Sequence, residues 1–184
     1  AHSFVTSFGC TVEGEHKAFD TYIKTHRGEP LILLIDTYDT LRCGILNAIH
    51  AFRENGIDDS YPQGYGVRLD SGDQAYLTKV ARKMLDEAGW TGCSITVSNS
   101  LDERLITELL LQGAKIDAFG VGERLITSKS HPVFGGVYKL AAIEDKEGNI
   151  IPNIVNNLDC IAHLHSAGHP GRHELQKGEN NYHY

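Results

Sequence analysis

The sequence predicts an α/β fold assembled from parallel βα units. Three observations carry that expectation. Short apolar runs occur at Leu31–Ile35, Tyr65–Leu69, Ser94–Val97 and Ala118–Val121, as strands buried on both faces require. Amphipathic helical patterns of about 10 to 15 residues separate them. Each run also stops at a cluster of polar residues or glycines.

The opening Ala1-His2-Ser3-Phe4-Val5 is apolar around Phe4 and Val5 and reads as part of a buried strand from which His2 projects. It lacks an initiator methionine, and the chain reads as cut from a longer protein. After a polar stretch, a strand is expected near 31–36, ending at Asp36-Thr37-Tyr38-Asp39-Thr40. A helix near 40–53 then places Leu41, Ile45, Ala48, Ile49 and Phe52 on one face, and Asn55-Gly56 closes it. The strand near 65–69 carries Arg68 and stops at Asp70-Ser71-Gly72-Asp73. The helix near 73–88 shows Leu77, Val80, Ala81, Met84, Leu85 and Ala88 at helical spacing. Asp70 or Ser71 suits its N-cap, and Asp73 falls in its first turn, where the helix dipole favours negative charge.

Gly89 ends that helix, and the strand near 94–98 stops at Ser98-Asn99-Ser100. A helix near 101–112 carries Leu101, Leu105, Ile106, Leu109 and Leu110 and ends at Gly113. The fourth strand, near 117–121, runs into Gly122-Glu123-Arg124-Leu125-Ile126-Thr127. The stretch Gly135–Ile143 breaks the rhythm; with Lys146-Glu147-Gly148-Asn149 as a turn and Ile150-Ile151 beyond it, it reads as a strand and hairpin. Periodicity is lost from about Asn153. The chain therefore divides into an α/β unit over 1–152 and an atypical tail over 153–184, rich in His, Gly and Asn and read as peripheral or poorly ordered. His163, His165, His169 and His173 in the tail match no common zinc spacing.

Hydrophobic residues at 41% and charged ones at 22% are ordinary for a globular domain, and 184 residues suit one domain. A formal charge of −7 argues against non-specific binding to nucleic acid or a membrane surface. No apolar run approaches the roughly 18 residues of a membrane span. Cys10, Cys43, Cys93 and Cys160 are scattered without a Cys-x-x-Cys pair and read as reduced cysteines of a cytoplasmic protein.

In a parallel barrel or open sheet the carboxyl ends of the strands gather on one face. That brings together Asp36 and Asp39, the Arg68–Asp73 loop, Ser98 to Asp102, and Gly120 to Arg124. Carboxylates suit hydroxyls, a metal or a histidine; Arg68 suits an anion; the Gly120-Val121-Gly122 turn offers backbone amides to a phosphate. A phosphorylated sugar fits this set.

Several stretches together resemble the nicotinate phosphoribosyltransferase family. They are Ala1-His2-Ser3-Phe4, Asp36-Thr37-Tyr38-Asp39-Thr40-Leu41, Gly66-Val67-Arg68-Leu69-Asp70-Ser71-Gly72-Asp73, Ser98-Asn99-Ser100-Leu101-Asp102, Phe119-Gly120-Val121-Gly122 and Gly135-Gly136-Val137-Tyr138-Lys139-Leu140. They occur in the family's order and spacing from Ala1 to about Pro152. The resemblance implies an irregular TIM-like α/β barrel, of which this chain holds part. It also implies a reaction of nicotinate with phosphoribosyl pyrophosphate, coupled to ATP hydrolysis, with magnesium accompanying the phosphates and a homodimer as the assembly. By the same resemblance His2 is transiently phosphorylated and Asp36 steadies it. Arg68, Asp70, Ser71, Ser98 and Asn99 bind substrate, and Gly120, Gly122 and Glu123 bind phosphate. Many family members carry threonine where this chain has Glu123, so only its backbone role is carried over. The competing readings are a nicotinamide-specific relative of the same fold and a catalytically incomplete binding or scaffold fragment.

Overall fold

The computed structural model describes residues 1–127 and 142–152. Four parallel strands, β1 (Leu31–Leu34), β2 (Tyr65–Leu69), β3 (Ser94–Ser98) and β4 (Ala118–Gly120), form one sheet in the order β1-β2-β3-β4. The pairing is in register from Leu31 opposite Tyr65 through Gly66 opposite Ser94 to Thr96 opposite Ala118. Each new strand adds on the same side of its predecessor. A doubly wound sheet reverses direction at a switch point, whereas an arc of a singly wound α/β barrel does not. The predicted α/β class therefore holds, and so do the four strands.

The helices between the strands are α3 (Ile45–Glu54), α4 (Gln74–Ala88) and α5 (Glu103–Leu111). Leu33, Ile35, Val67, Leu69, Ile95 and Val97 from the sheet are almost wholly buried, with Ala48 and Phe52 of α3 and Ala81 and Leu85 of α4. Full burial of a side chain the size of Leu85 or Phe52 contributes about 1.5–3 kcal/mol. Three glycines stop helices where predicted: Gly56, Gly89 and Gly113 all adopt positive φ. A short α6 (Glu123–Ile126) follows β4. The hairpin of β5 (Ala142–Glu144) and β6 (Ile150–Pro152) is antiparallel as expected, its turn held by Glu147 and Asn149 amides donating to Asp145 Oδ1 at 2.8 and 2.9 Å. Gly135–Ala141 and the tail, with its histidines, lie outside the described residues.

The opening residues are a correction. His2–Thr6 form a short helix, α1, rather than a strand. Val5 is buried beneath it, and Phe4 packs edge-on against Phe8 and Tyr22 at centroid distances of 5.2 and 6.3 Å. Five residues carry too little periodicity to separate helix from strand. The following polar stretch hides a second helix, α2 (Val12–Thr25), capped by Thr11 through its side chain to the Gly14 amide at 2.9 Å. Its buried face contains Gly14 and Glu15 beside Ala18, Phe19 and Ile23, which disguises it in a hydrophobicity pattern.

Glu15 is wholly buried where α2 meets α3, with Asn47 Nδ2 donating to its Oε2 at 2.8 Å. Burial pushes its carboxyl pKa up to about 7; the Asn47 and Cys43 side chains oppose this, while the Asp36 and Asp39 charges add to it. A raised pKa means that the folded state holds the proton more tightly than the unfolded one. The stabilisation is complete below the usual carboxylate range and is lost as pH rises towards 7. Glu15→Gln is therefore expected to match the parent in thermal stability at pH 4.5 and to exceed it at pH 8, by on the order of 2 kcal/mol. Equal melting temperatures at both pH values would show that Glu15 titrates normally.

Candidate active site

The carboxyl ends of β1, β2 and β3 meet in one hydrogen-bonded network. Arg68 lies at the fourth position of β2, and the chain turns at Asp70 immediately after the strand. The Arg68 guanidinium donates from Nη2 to Asp70 Oδ1 at 2.8 Å and from Nε to Ser98 Oγ at 2.7 Å. The Ser98 hydroxyl, at the last position of β3, donates onward to the same Asp70 oxygen. From β1, Asp36 Oδ2 accepts the Asp70 amide and the Ser71 hydroxyl, both at 2.7 Å. Asp36 is buried, and its other carboxylate oxygen has no hydrogen-bond partner among the described residues. Asp36 and Arg68 thus lie on the same side, as the sequence reading required.

This network explains why neither Asp70 nor Ser71 caps α4. The Asp70 carboxylate is occupied by the Arg68 guanidinium and the Ser98 hydroxyl, and the Ser71 hydroxyl by Asp36. The cap is Asp73, whose side chain accepts from the Tyr76 amide at 3.0 Å. Burial by itself would raise the Asp70 pKa, but the Ser98 hydroxyl, Arg68 and the nearby His2 together hold it below the ordinary carboxylate value. Asp70 therefore stays ionised at neutral pH.

His2 comes to the same end of the sheet through α1. Its Nδ1 is 3.0 Å from the hydroxyl of Thr37, a wholly buried residue, and its Nε2 is 4.0 Å from Asp36 Oδ1. The expected direct hydrogen bond between His2 and Asp36 is not closed at that distance. Thr37 was not singled out in the sequence; its place directly after Asp36 at a strand end was the available signal.

Asn99 and Ser100 both adopt positive φ, 85° and 53°, which non-glycine residues rarely do. Asn99, Ser71 and Gly72 line a cavity of about 320 Å³ together with Gln74, Leu105 and Leu109. Gln74, also missed in the sequence, donates from Nε2 to the Ser98 carbonyl at 2.7 Å and so joins α4 to the end of β3. Arg68, Asp70 and Ser98 do not line this cavity, nor do His2, Asp36, Gly120 and Gly122, so the expectation that all four strand ends face one cavity is not met there.

Gly120 pairs with Ser98, and a Cβ there would lie 3.0 Å from the Ser98 Cβ, so close strand packing accounts for this glycine. Gly122 faces open space and begins α6, and Glu123 is exposed. The loop is tied to the network's neighbour by Arg124, which donates to Asp102, while Asp102 Oδ1 caps α5 through the Leu105 amide at 2.8 Å.

Arg68 pairs with Asp70, and Asp36 joins the network through the Asp70 amide and the Ser71 hydroxyl, so one guanidinium and two carboxylates share this end of the sheet. Among the described residues, no group of three or more His, Cys, Asp or Glu side chains is placed to hold a metal ion. None of the described helices is long and apolar enough to cross a membrane.

No family model matches the chain. Individual relatives do. It is 47% identical over 154 residues to the nicotinate phosphoribosyltransferase of Bacillus subtilis, an alignment covering 84% of this chain and 29% of that protein. It is 39% identical over 136 residues to the nicotinate phosphoribosyltransferase of Dictyostelium discoideum, covering 68% of this chain and 22% of the relative. The crystal structure of human nicotinic acid phosphoribosyltransferase superposes with a TM-score of 0.50 at 25% identity, over 65% of this chain and 26% of that one. The chain thus spans less than a third of the length of these relatives.

Proposed function

From the premise that the chain belongs to the nicotinate phosphoribosyltransferase family, we propose that its strand-end network is part of a site that joins nicotinate to phosphoribosyl pyrophosphate, with ATP hydrolysis coupled to the transfer. The observation that carries this reading is the convergence of Arg68, Asp70, Ser98, Asp36 and Ser71 through five hydrogen bonds from three adjacent strand ends. The ring nitrogen of nicotinate attacks the anomeric carbon, the bond to pyrophosphate breaks, and pyrophosphate leaves with the electron pair. The carbon passes through an oxocarbenium-like state, so the protein contributes positioning and fixed charge rather than a nucleophile of its own.

In this reading Arg68 holds a carboxylate or phosphate, and the ionised Asp70 faces the ribose hydroxyls or the developing positive charge. Ser71 and Asn99 border the substrate, and the amides of Gly120, Gly122 and Glu123 approach the 5′-phosphate. Magnesium fits as a companion of the phosphates, since it is commonly held by one or two carboxylates plus substrate oxygens, and Asp70 and Asp36 are the carboxylates present. Bound there, it would neutralise charge on the departing pyrophosphate. A cytoplasmic location and a homodimeric assembly complete the reading.

The test is mononucleotide formation by the intact protein from phosphoribosyl pyrophosphate with nicotinate or nicotinamide in competition. Preference for nicotinate is expected; preference for nicotinamide would move the protein to the neighbouring specificity, and no product with either would leave only a binding role. In the same assay Arg68→Lys keeps the charge but loses the planar fork. It is expected to lower kcat/KM by roughly 10- to 100-fold, the loss of one charge-assisted hydrogen bond. Unchanged kcat/KM would make Arg68 structural.

A further inference from the structure

We infer that Ser98 is a positioning residue for Arg68 rather than a substrate ligand, and that it dictates which edge of the guanidinium receives the anion. The inference rests on the phosphoribosyl-transfer reading and goes further into that same site.

The Ser98 hydroxyl has committed its proton and one of its two lone pairs. Its side chain is in a residue only 5% exposed, its oxygen accepts from Arg68 Nε at 2.7 Å, and its proton goes to Asp70 Oδ1. Asp70 Oδ1 in turn accepts from Arg68 Nη2 at 2.8 Å, so the three side chains close a ring of hydrogen bonds. A hydroxyl has one proton to donate, and this one is spent within the protein. Ser98 therefore has no donor left for a ligand.

The ring also fixes the guanidinium. Its Nε–Nη2 edge, the side-on fork, faces Ser98 and Asp70. Nη1 makes no hydrogen bond among the described residues, and Nη2 keeps its second proton. The Arg68 side chain is 43% exposed, and the Nη1–Nη2 edge is the one that its bonds to Ser98 and Asp70 leave for a ligand. An incoming carboxylate or phosphate meets the Nη1–Nη2 edge end-on. Without the Ser98 oxygen, Nε would lose its acceptor and the plane could rotate about the last side-chain bonds, at an entropic cost to binding. Gln74 and Gly120 hold Ser98 itself: one bonds its carbonyl at 2.7 Å, and the other packs against its Cβ.

The experiment uses the intact protein, with inorganic pyrophosphate as the probe in titration calorimetry. Ser98→Ala is expected to weaken pyrophosphate binding about tenfold, while Ser98→Thr, which restores the hydroxyl, stays within about threefold of the parent. In parallel, nitrogen-edited NMR follows the arginine Nε–H signals, with the Arg68 signal assigned by its loss in Arg68→Lys. That signal should be protected from solvent exchange in the parent and in Ser98→Thr, and unprotected in Ser98→Ala. If Ser98→Ala keeps both the affinity and the protection, the inference is overturned. Equal losses in the alanine and threonine variants, with lower melting temperatures in both, would overturn it too, by assigning Ser98 a packing role. A parent that binds no pyrophosphate would instead break the phosphoribosyl-transfer reading, while the Nε–H comparison still decides whether Ser98 orients Arg68.

Discussion

His2→Ala is expected to abolish the coupling of ATP hydrolysis to phosphoribosyl transfer. Incubated with ATP labelled in its γ-phosphate, the intact parent should acquire an acid-labile, base-stable label, and the variant none. In the proposed role one ring nitrogen has to be released to take the phosphate, and Nδ1, on Thr37, is the one not aimed at Asp36. Thr37 engages Nδ1 at 3.0 Å, and Nε2 stands 4.0 Å from a buried Asp36 oxygen that has no hydrogen-bond partner among the described residues. An unpartnered carboxylate oxygen in a buried position is costly, and a cationic imidazole moving less than about 1.5 Å closer would satisfy it. In the proposed role Asp36 Oδ1 balances the charged ring, while its other oxygen accepts from the Asp70 amide and the Ser71 hydroxyl. Slower, ATP-independent transfer should survive in His2→Ala, because Arg68, Asp70 and Ser98 do not depend on the imidazole for their mutual bonds. Asp36→Asn should weaken the coupling less, since an amide can hold the loop but cannot balance a positive ring. A variant that labels as well as the parent would show that His2 is not the phosphate carrier.

Gly44→Ala is expected to be severely destabilising. Residues Thr40–Gly44 form a π-helical turn, with the amides of Gly44 and Ile45 reaching five residues back to the Asp39 and Thr40 carbonyls. The Asp39 side chain caps it through the Leu41 and Arg42 amides at 3.0 and 2.9 Å. The wider turn presses Gly44 against β1: a Cβ there would lie 1.8 Å from the Ile35 carbonyl oxygen and 2.7 Å from its carbon. Both obstacles are backbone, so no side chain can rotate away. Its φ of −53° is ordinary helix, so the requirement is for space alone. Overpacking a well-filled core costs about 1–3 kcal/mol, and this collision should exceed that range. Against a total stability of about 5–15 kcal/mol, the variant should melt many degrees lower or fail to fold cooperatively. Calorimetry decides it, and an unchanged melting temperature would mean that Gly44 does not approach Ile35 so closely.

Much of this molecule was legible in the chain. Leu31–Ile35 and Tyr65–Leu69 announce strands buried on both faces, and Leu41 to Phe52 announces the helix between them. The alternation of the two brings Asp36, Arg68, Asp70 and Ser98 to one end of a parallel sheet. Those inferences need only local periods and the rule that strand ends gather, which are properties of neighbouring residues. What the sequence could not determine are relations between residues far apart in the chain. Asp70 does not reach the cap of α4 because Arg68 and Ser98, the latter 28 residues away, occupy its carboxylate. Ser98 reads as a substrate ligand in the sequence until Arg68 and Asp70 take up one of its lone pairs and its only proton. Glu15 reads as a surface residue until Asn47, 32 residues on, receives it in the interior. Gly44 reads as a tolerated helix glycine until Ile35 arrives beneath it. In each case the deciding energy is a charge, a hydrogen bond or a steric contact acting over a few ångströms. Only the folded chain brings those partners within that range.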